Sequence, residues 1–547
     1  MEDYVSLFKQ QNESAADDAL WGKPALSIIQ GLDKNEKIPP IRAIWEMVQN
    51  AHDVSISSGA EIEFELDDDY FYFRHNGIPF TATSLNSLSL QTSSKVQEDI
   101  KLIGQYGTGF MTTNKFGLIF YVAGALRLQK KEEDESLIDL DMYINFQEFK
   151  IDRSERDKKK LIDILKKQQD KIKKLGKDAV AFSPSYDKIT EFKYEQKHPI
   201  ERKNAKEALQ AAPNLVPYVL AIIDRINSIS FAESDKDKLS FKRSSECILN
   251  LNDENRQYTF KCIEIERSDR KDRPFQIYMI ESLDSIEKEG IPKVSVVLPL
   301  KEVNGKLTAF QFEDYIPNLF IYLPLIGTEK WGVNYIIHSP LFSCTDELRD
   351  SVRFASSGQY GDEDSDRNKN IINIASEMID AFWKDHLSEI ADVKYIAKVH
   401  FKTNDSNEKI AQYYTELQDS WVKKYKDYDI ASVQDGNTTK LVKPSSLWLL
   451  DSDMCKEAKE NPSFLSAIYF LMVGFKQETK VPIKEDLIFW SEVMNNWNLQ
   501  DPENFFVKSK DIAEYIQSLT VTEELLEIIL EFDKYLVNSN QILKFRK

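Results

Sequence analysis

Glu46, Asn50 and Asp53 have the residue types and the spacing to act on a bound ligand. They lie in the stretch Ile41–Asp53, IRAIWEMVQNAHD, and at about 100° per residue they fall on one face of a helix. An amide oxygen can ligate a divalent cation, and a carboxylate can orient or deprotonate a water molecule. A solvated helix face is the alternative interpretation of this stretch taken alone.

Two glycine-containing segments follow in the sequence. The first, His75-Asn76-Gly77-Ile78-Pro79, comes directly after a strand pattern, where loops often meet a ligand. The second, GQYGTGF at 104–110, precedes a helix-like stretch. Glycines at such a place let backbone N–H groups approach an anion, while the helix N-terminus adds partial positive charge. Phosphate is the expected ligand, although the glycine order is neither that of a dinucleotide fold nor that of a P-loop.

Periodicity indicates the elements that must position these residues. Apolar residues recur at helical spacing in the first stretch, which predicts that this side of the helix packs on a core. They are Ile41, Ile44, Trp45 and Val48. The segments 61–66 and 70–74 alternate like the strands of a hairpin, and 189–194 alternates as a later strand. The polar stretch 93–102 is expected to be a mobile cover, and the charged run 153–174 a solvated helix.

Composition excludes several classes of protein. The chain has 547 residues and a formal net charge of −19, which argues against nucleic acid as a partner because phosphate neutralisation needs a basic surface. The four cysteines lack metal-ligand spacing, so free thiols in a reducing compartment are expected. The sequence shows neither a signal-peptide pattern nor an apolar run of about 18 residues, which predicts a cytoplasmic protein without a membrane span.

The combination of the motifs resembles the GHKL ATPase superfamily, which includes Hsp90, the MutL mismatch-repair ATPases, type II topoisomerase ATPase subunits and histidine kinases. The spacing of Glu46, Asn50 and Asp53 agrees with the family's first motif, and GQYGTGF is similar to the Hsp90 form of its glycine motif. The middle motif departs from the family's D-x-G-x-G, because His75 replaces the adenine-binding Asp and Pro79 replaces the second Gly. The form H-N-G-x-P-F looks like that of large sacsin-like and Hsp90-like bacterial ATPases.

This resemblance implies ATP and Mg²⁺ as ligands and gives roles to individual residues. Glu46 would be the catalytic residue that acts on water, Asn50 would ligate Mg²⁺, and Asp53 would either order the network near the sugar or base or be purely structural. A neutral His75 would accept a hydrogen bond from the adenine amine, and Asn76 could do the same. The other expected nucleotide contacts are Gly77, Lys95, Gly104, Gln105, Tyr106, Gly107, Thr108, Gly109, Phe110 and Thr190.

Arg349 and Arg353 are candidates for a group that senses the terminal phosphate. They follow 337–342, which resembles the middle segment of Hsp90-type and sacsin-type proteins. A surface ion pair with a neighbouring acidic residue is the alternative for both arginines.

The implied fold class is α+β. A Bergerat-type α/β sandwich would form the nucleotide-binding domain at 36–232, after an N-terminal arm at 1–35. A second α/β domain would follow at 240–358, and a mostly helical region at 366–547.

Three functions remain open at this point. The first, which the resemblance favours, is an ATPase in which Mg-ATP closes the cover and drives a conformational change. Such a protein would be chaperone-like or part of a bacterial antiviral defence system, with an ATP-dependent homodimer and a protein partner or effector subunit. The second is a nucleotide-binding switch or scaffold with little or no hydrolysis. The third is a kinase-like phosphotransferase, for which the sequence offers no evident acceptor histidine.

Overall fold

The structure is a computed structural model that combines helices with a large mixed sheet, compatible with the predicted α+β class. It describes residues 18–91, 109–131, 137–175, 182–183, 189–234, 236–249, 257–270, 273–286, 292–345, 351–355, 362–497 and 505–539. The described residues form two compact units. The first reaches Val297 and also includes Leu319–Thr328 and 337–353; the second takes Leu298–Asn318, Glu329–Ile336 and the chain from Phe354 onward.

The strands, in chain order, are β1 Ala60–Leu66, β2 Tyr70–His75, β3 Ile119–Lys131, β4 Leu137–Asp152, β5 Phe182–Ser183, β6 Thr190–Glu195, β7 Ile226–Glu233, β8 Lys236–Ile248, β9 Tyr258–Arg267, β10 Phe275–Ser282, β11 Ser295–Val297, β12 Leu300–Val303, β13 Lys306–Ala309, β14 Leu319–Ile321, β15 Leu323–Pro324, β16 Ile336–His338, β17 Ala431–Asp435, β18 Thr438–Val442, β19 Leu449–Leu450 and β20 Phe506–Val507.

The α-helices are α1 Lys23–Asn35, α2 Ile41–Asp53, α3 Ala82–Leu90, α4 Lys158–Leu175, α5 Pro199–Ala211, α6 Val216–Ile222, α7 Asp362–His386, α8 Glu408–Lys426, α9 Ser452–Glu460, α10 Pro462–Lys476, α11 Lys484–Asn496, α12 Ser509–Gln517 and α13 Glu523–Asn538. Short 3₁₀ helices include Gly109–Phe116, which follows the second glycine segment.

One sheet runs through the first unit. Within the described residues its order is β15-β14-β16-β11-β10-β9-β8-β7-β1-β2-β6-β3-β4-β5. The β1–β2 hairpin has the predicted antiparallel pairing, with Phe64 opposite Phe73, and Asp67 accepts the Tyr70 N–H in the turn. Alternation buries Ile62, Phe64 and Leu66, so the helices α2 and α5 pack on this part of the sheet.

The sheet continues past the end predicted for the nucleotide-binding domain. Strands β7 and β8 pair as an antiparallel hairpin that spans the interval 232–240, and β8 in turn pairs with β9. Backbone hydrogen bonds therefore join the predicted first and second domains into one sheet. The predicted boundary follows a change of sequence pattern, which cannot show that a strand on one side pairs with a strand on the other.

The second unit has a helical core with small two-stranded sheets. Its centre includes the buried Tyr335, whose hydroxyl accepts a hydrogen bond from Trp383 Nε1 at 2.8 Å and lies 3.0 Å from the Tyr425 hydroxyl. None of the helices in the described part of the chain is long and apolar enough to cross a bilayer. The four cysteines are free thiols, as predicted.

Candidate functional site

Helix α2 is the element that holds Glu46 and Asn50. It begins after Pro39 and Pro40, and its predicted apolar side is buried, with Ile44, Trp45 and Val48 at most 3 % exposed. Met47 and Ala51 are also buried, so more of the helix is enclosed than its sequence pattern predicts. Glu46 and Asn50 stay half-buried on the remaining side, where a ligand can reach them.

The amide of Asn50 has a defined orientation. Its Nδ2 atom donates a hydrogen bond to the Glu46 carbonyl oxygen, one helical turn earlier, at 2.8 Å. Because the nitrogen binds the helix backbone, Oδ1 is on the side of the amide that points away from that bond. An oxygen ligand from an amide is what Mg²⁺ or Ca²⁺ would require at this position.

The Asp53 carboxylate contacts the side chain of the preceding residue, His52. Its Oδ1 atom lies 3.1 Å from His52 Nδ1, and the two side chains are only 1 % and 4 % exposed. The His52 ring packs against Tyr322, with centroids 5.9 Å apart. This enclosure favours the structural role that the sequence left open for Asp53.

The loop after β2 is joined to the end of α2. The Ile78 N–H donates to the Val54 carbonyl at 2.6 Å. A Cβ atom at Gly77 would lie 2.6 Å from both Val54 O and Val54 Cγ2, closer than two non-bonded atoms can approach. Glycine at position 77 is thus needed for packing within the protein, and it brings the first two motifs together.

His75 is buried and has one tautomer. Burial lowers its pKa to about 4, so the imidazole is neutral at pH 7. Its Nδ1 atom accepts the Gly77 N–H at 3.1 Å, which leaves the hydrogen on Nε2. His75 therefore presents a donor at Nε2, whereas the interpretation from sequence required an acceptor.

Asn76 also has a role within the backbone. Its Oδ1 atom accepts the Glu61 N–H at 2.8 Å, and its own N–H donates to the Glu61 carbonyl at 3.4 Å. These bonds close the open end of the β1–β2 hairpin. The side-chain oxygen proposed for adenine thus already has a hydrogen-bond donor.

Thr190 lies beside His75 on the neighbouring strand. The two residues are directly opposite in the β2–β6 pair, and Thr190 is 1 % exposed. Phe110, the last residue of the second glycine segment, packs against Phe192 at 5.5 Å between centroids, and Phe192 stacks on His75 at 6.4 Å. Contacts between aromatic rings therefore connect the two glycine-containing segments.

The helix Gly109–Phe116 packs against α2. Its first turn is held by internal bonds, in which Thr113 Oγ1 donates to the Phe110 carbonyl at 2.7 Å and Asn114 Nδ2 to the Met111 carbonyl at 2.8 Å. Lys95, Gly104, Gln105, Tyr106, Gly107, Thr108 and Arg349 lie outside the described residues, as does the predicted cover 93–102. The N-terminus of this helix is thus the described part of the predicted phosphate loop.

Arg353 is bound within its own loop. Its Nη2 atom donates to the carbonyls of Cys344 and Thr345 at 3.1 and 3.4 Å. The residue is 6 % exposed, and the acidic residues of the alternative ion pair, Asp346, Glu347 and Asp350, lie outside the described residues. These bonds join Arg353 to residues 344–345, and both phosphate sensing and the ion pair remain predictions for Arg353.

A small cavity adjoins Glu46. It has a volume of about 30 Å³ and is lined by Arg42, Trp45, Glu46, Gln49, Ile321 and Leu323–Leu325. This volume exceeds the roughly 10–15 Å³ that one water molecule needs. Trp45 Nε1 is buried and has no hydrogen-bond partner among the described residues.

The segment 321–325 is a component that the sequence did not connect with Glu46. Tyr322 within it has φ +60°, a backbone conformation that is strained for an aromatic residue. Its N–H donates to Nδ1 of the buried His338 at 3.1 Å. Nothing in the local pattern signals this conformation, because it depends on a strand that comes later in the chain.

The chain matches no protein-family model and none of the curated proteins. Among the described residues there is also no group of three or more His, Cys, Asp or Glu side chains that could bind a metal ion.

We expect Gly77→Ala to lower the free energy of unfolding by about 1–3 kcal/mol, since the new methyl group must displace Val54 and the end of α2. Gly31→Ala is the matched control. Its Cβ would meet side-chain atoms of Met111, with Cε at 3.2 Å and Cγ at 3.4 Å, and no backbone atom is among these neighbours; alanine also favours the helix. Urea denaturation measures the free energy of unfolding of both variants. Equal losses in the two variants would contradict the packing argument.

The lowered pKa of His75 gives a pH dependence. Between about pH 6.5 and 4 the unfolded chain binds a proton at His75 that the folded chain does not, so stability should fall as the pH drops through this window. Asparagine can still accept the Gly77 N–H but cannot titrate. His75→Asn should therefore reduce the slope of unfolding free energy against pH by up to about 1.4 kcal/mol per pH unit.

Denaturation curves measured across this range test the expectation. His338 is similarly buried, and burial also lowers its pKa to about 4. Its contribution to the slope of unfolding free energy against pH should be the same in the variant as in the wild type. Identical slopes in the wild type and His75→Asn would refute the assignment.

Proposed function

We propose that this chain binds ATP with Mg²⁺ and hydrolyses it at the face of α2 that holds Glu46 and Asn50. The observation that supports the proposal best is the convergence of three elements within the first unit. Helix α2 contacts the Gly77 loop at its end and the helix Gly109–Phe116 along its side. On this proposal the first unit includes a Bergerat-type α/β sandwich.

The carboxylate of Glu46 would act on the attacking water. Glu46 lines a cavity of about 30 Å³, and a carboxylate beside a water can orient it and take its proton as the bond to phosphorus forms. The apolar side chains of Leu323 and Leu325 also line the cavity.

Asn50 would hold the cation. The bond from Nδ2 to the Glu46 carbonyl orients the amide, with Oδ1 on its opposite side. Bound Mg²⁺ would neutralise the phosphate charge that builds up in the reaction. The positions of Glu46 and Asn50 one turn apart would place the water and the cation beside the same phosphate.

The adenine base would form different hydrogen bonds from those that the resemblance implies. With Nδ1 occupied by the Gly77 N–H, His75 can donate from Nε2 to a purine ring nitrogen but cannot accept from the exocyclic amine. Thr190, on the adjacent strand, has a hydroxyl that can both donate and accept. We assign recognition of the adenine base to His75 and Thr190, and we give Asn76 and Asp53 supporting roles.

The wider role follows from the resemblance as part of the same proposal. ATP binding would drive a conformational change in a chaperone-like protein or in a component of bacterial antiviral defence, together with a second copy or another protein. A switch that binds nucleotide without hydrolysing it is the second outcome that the following experiments distinguish.

Glu46→Ala should leave Mg-ATP binding within about threefold of the wild type and reduce turnover by a factor on the order of 10² or more, because it removes the group that acts on water. Glu207→Ala, which removes a carboxylate that is 51 % exposed on α5, should do neither. A wild type that binds ATP but has no turnover above that of Glu46→Ala would identify a switch.

Asn50→Ala should remove the gain in ATP affinity that Mg²⁺ provides, since the proposed protein ligand is lost. Asn50→Asp keeps an oxygen at that position and should retain the dependence on Mg²⁺. Titration calorimetry with and without Mg²⁺ compares them, and an unchanged dependence in Asn50→Ala would remove the metal role.

A further inference from the structure

Cys247 and Cys262 lie directly opposite each other on neighbouring strands. The register of the antiparallel β8–β9 pair places Cys247 on β8 across from Cys262 on β9. Residues at opposite positions of an antiparallel pair have their side chains on the same face of the sheet. The spacing of the cysteines in the sequence does not indicate this pairing, because it depends on the register of the two strands.

The adjacent pair on the same face shows that side chains meet across this end of the two strands. Ser245 lies opposite Glu264, and its Oγ atom donates to Glu264 Oε2 at 2.7 Å. On the other side of the cysteines, the Leu249 N–H donates to the Phe260 carbonyl at 2.9 Å. The register is therefore unbroken across the cysteine pair.

The strand geometry fits a disulfide after a small movement. Leu249 and Phe260 form a hydrogen-bonded pair, so the cysteines, two positions along, form a pair of the same kind. The Cα atoms of such a pair are about 5.5 Å apart, within the range of about 4.4–6.8 Å that disulfides have. The Cβ atoms, about 4.5–5.5 Å apart, would have to approach to about 3.8 Å. The two strands must therefore move together by about 1 Å.

The end of β8 is placed so that it can make this movement. The register of the β7–β8 pair ends at Lys242, so the strand partner described for the rest of β8 is β9. Residues 244–248 are all exposed. The Cys247 thiol donates only weakly to the Ile248 carbonyl, at 3.8 Å, and rotation of the side chain would release it toward Cys262.

The two thiols differ in their access to solvent. Cys247 is exposed, whereas Cys262 is only 7 % exposed. A small oxidant from solution would therefore reach Cys247 first, and Cys262 is positioned to react with the product. An accessible thiol beside a second thiol that resolves its oxidised form is typical of cysteines that respond to oxidants.

We propose that Cys247 and Cys262 form a reversible disulfide in response to a hydroperoxide, which makes this end of the β8–β9 pair a redox-sensitive modification site. With hydrogen peroxide, the Cys247 thiolate attacks one oxygen, the O–O bond breaks, and the leaving hydroxide takes up a proton to become water. Cys247 is then a sulfenic acid.

The second step closes the disulfide. The Cys262 sulfur attacks the Cys247 sulfur, the S–O bond breaks, and the oxygen leaves as a second water with the proton of the Cys262 thiol. The two sulfur atoms lose two electrons in total, and the peroxide gains them. These steps do not depend on the nucleotide binding proposed above.

The disulfide would be reversible and would restrain the strand. The reduced thiols are the resting state in the reducing compartment that the sequence predicts. A disulfide that forms with strain and has an exposed sulfur is readily reduced by a dithiol. While it persists, the covalent link would hold the end of β8 against β9 and slow the local opening of this pair.

The test treats the reduced full chain with hydrogen peroxide and measures the intact mass and the linked peptides. The wild type should lose about 2 Da, give a peptide that joins Cys247 to Cys262, and return to its original mass with dithiothreitol. Hydrogen exchange at 245–249 should be slower in the oxidised form by about threefold or more. Cys344→Ser removes a half-buried thiol from another segment and should behave like the wild type.

Cys262→Ser removes the resolving thiol. It should accumulate sulfenic acid at Cys247, which dimedone should label about tenfold more than in the wild type. Cys247→Ser should form no link and should react more slowly with peroxide, because its remaining thiol at Cys262 is buried.

Three results would overturn the inference. They are an oxidised but unlinked Cys247 in the wild type, equal dimedone labelling in the wild type and Cys262→Ser, and a link that joins two chains instead of two strands of one chain. Unchanged exchange at 245–249 in the linked protein would refute the restraint of β8. If Cys262→Ser does not fold, the mass and the linked peptide of the wild type decide.

Discussion

The close approach of Gly77 to the end of helix α2 is the constraint on which the rest of the site depends. The backbone of the loop 75–79 lies against Val54 so tightly that a methyl group does not fit. From this contact the Gly77 N–H reaches His75 Nδ1, and the Ile78 N–H reaches the Val54 carbonyl. The tautomer of His75, the position of the strand end and the direction of α2 are all set together.

The hydrophobic pattern of the sequence is sufficient to predict the helix and the strands nearest the site. The helix Ile41–Asp53 begins where the preceding prolines predict and buries its predicted apolar side, and the β1–β2 hairpin has its predicted strands. These features depend on local propensity and on the burial of one face, which a single sequence records. The continuous sheet across 232–240 could not be predicted, because strand pairing depends on partners that are distant in the chain.

Individual side chains were harder to predict than elements. His75 was expected to accept a hydrogen bond, but its acceptor nitrogen is used by a backbone N–H two residues later. Arg153 belongs to a charged run that was expected to be solvated, yet it is enclosed while the lysines of α4 that follow are largely exposed. In both cases the outcome depends on how close another segment comes, and composition contains no such information.

The most direct measurement of the central claim is hydrogen exchange of the full chain with Mg²⁺ and a non-hydrolysable ATP analogue. If α2, the loop 75–79 and the helix Gly109–Phe116 form one nucleotide site, the analogue should slow exchange at 76–80 and 109–116 together and leave helix α8 of the second unit unchanged. Exchange that is unaffected at both segments, or slowed only in the second unit, would contradict it.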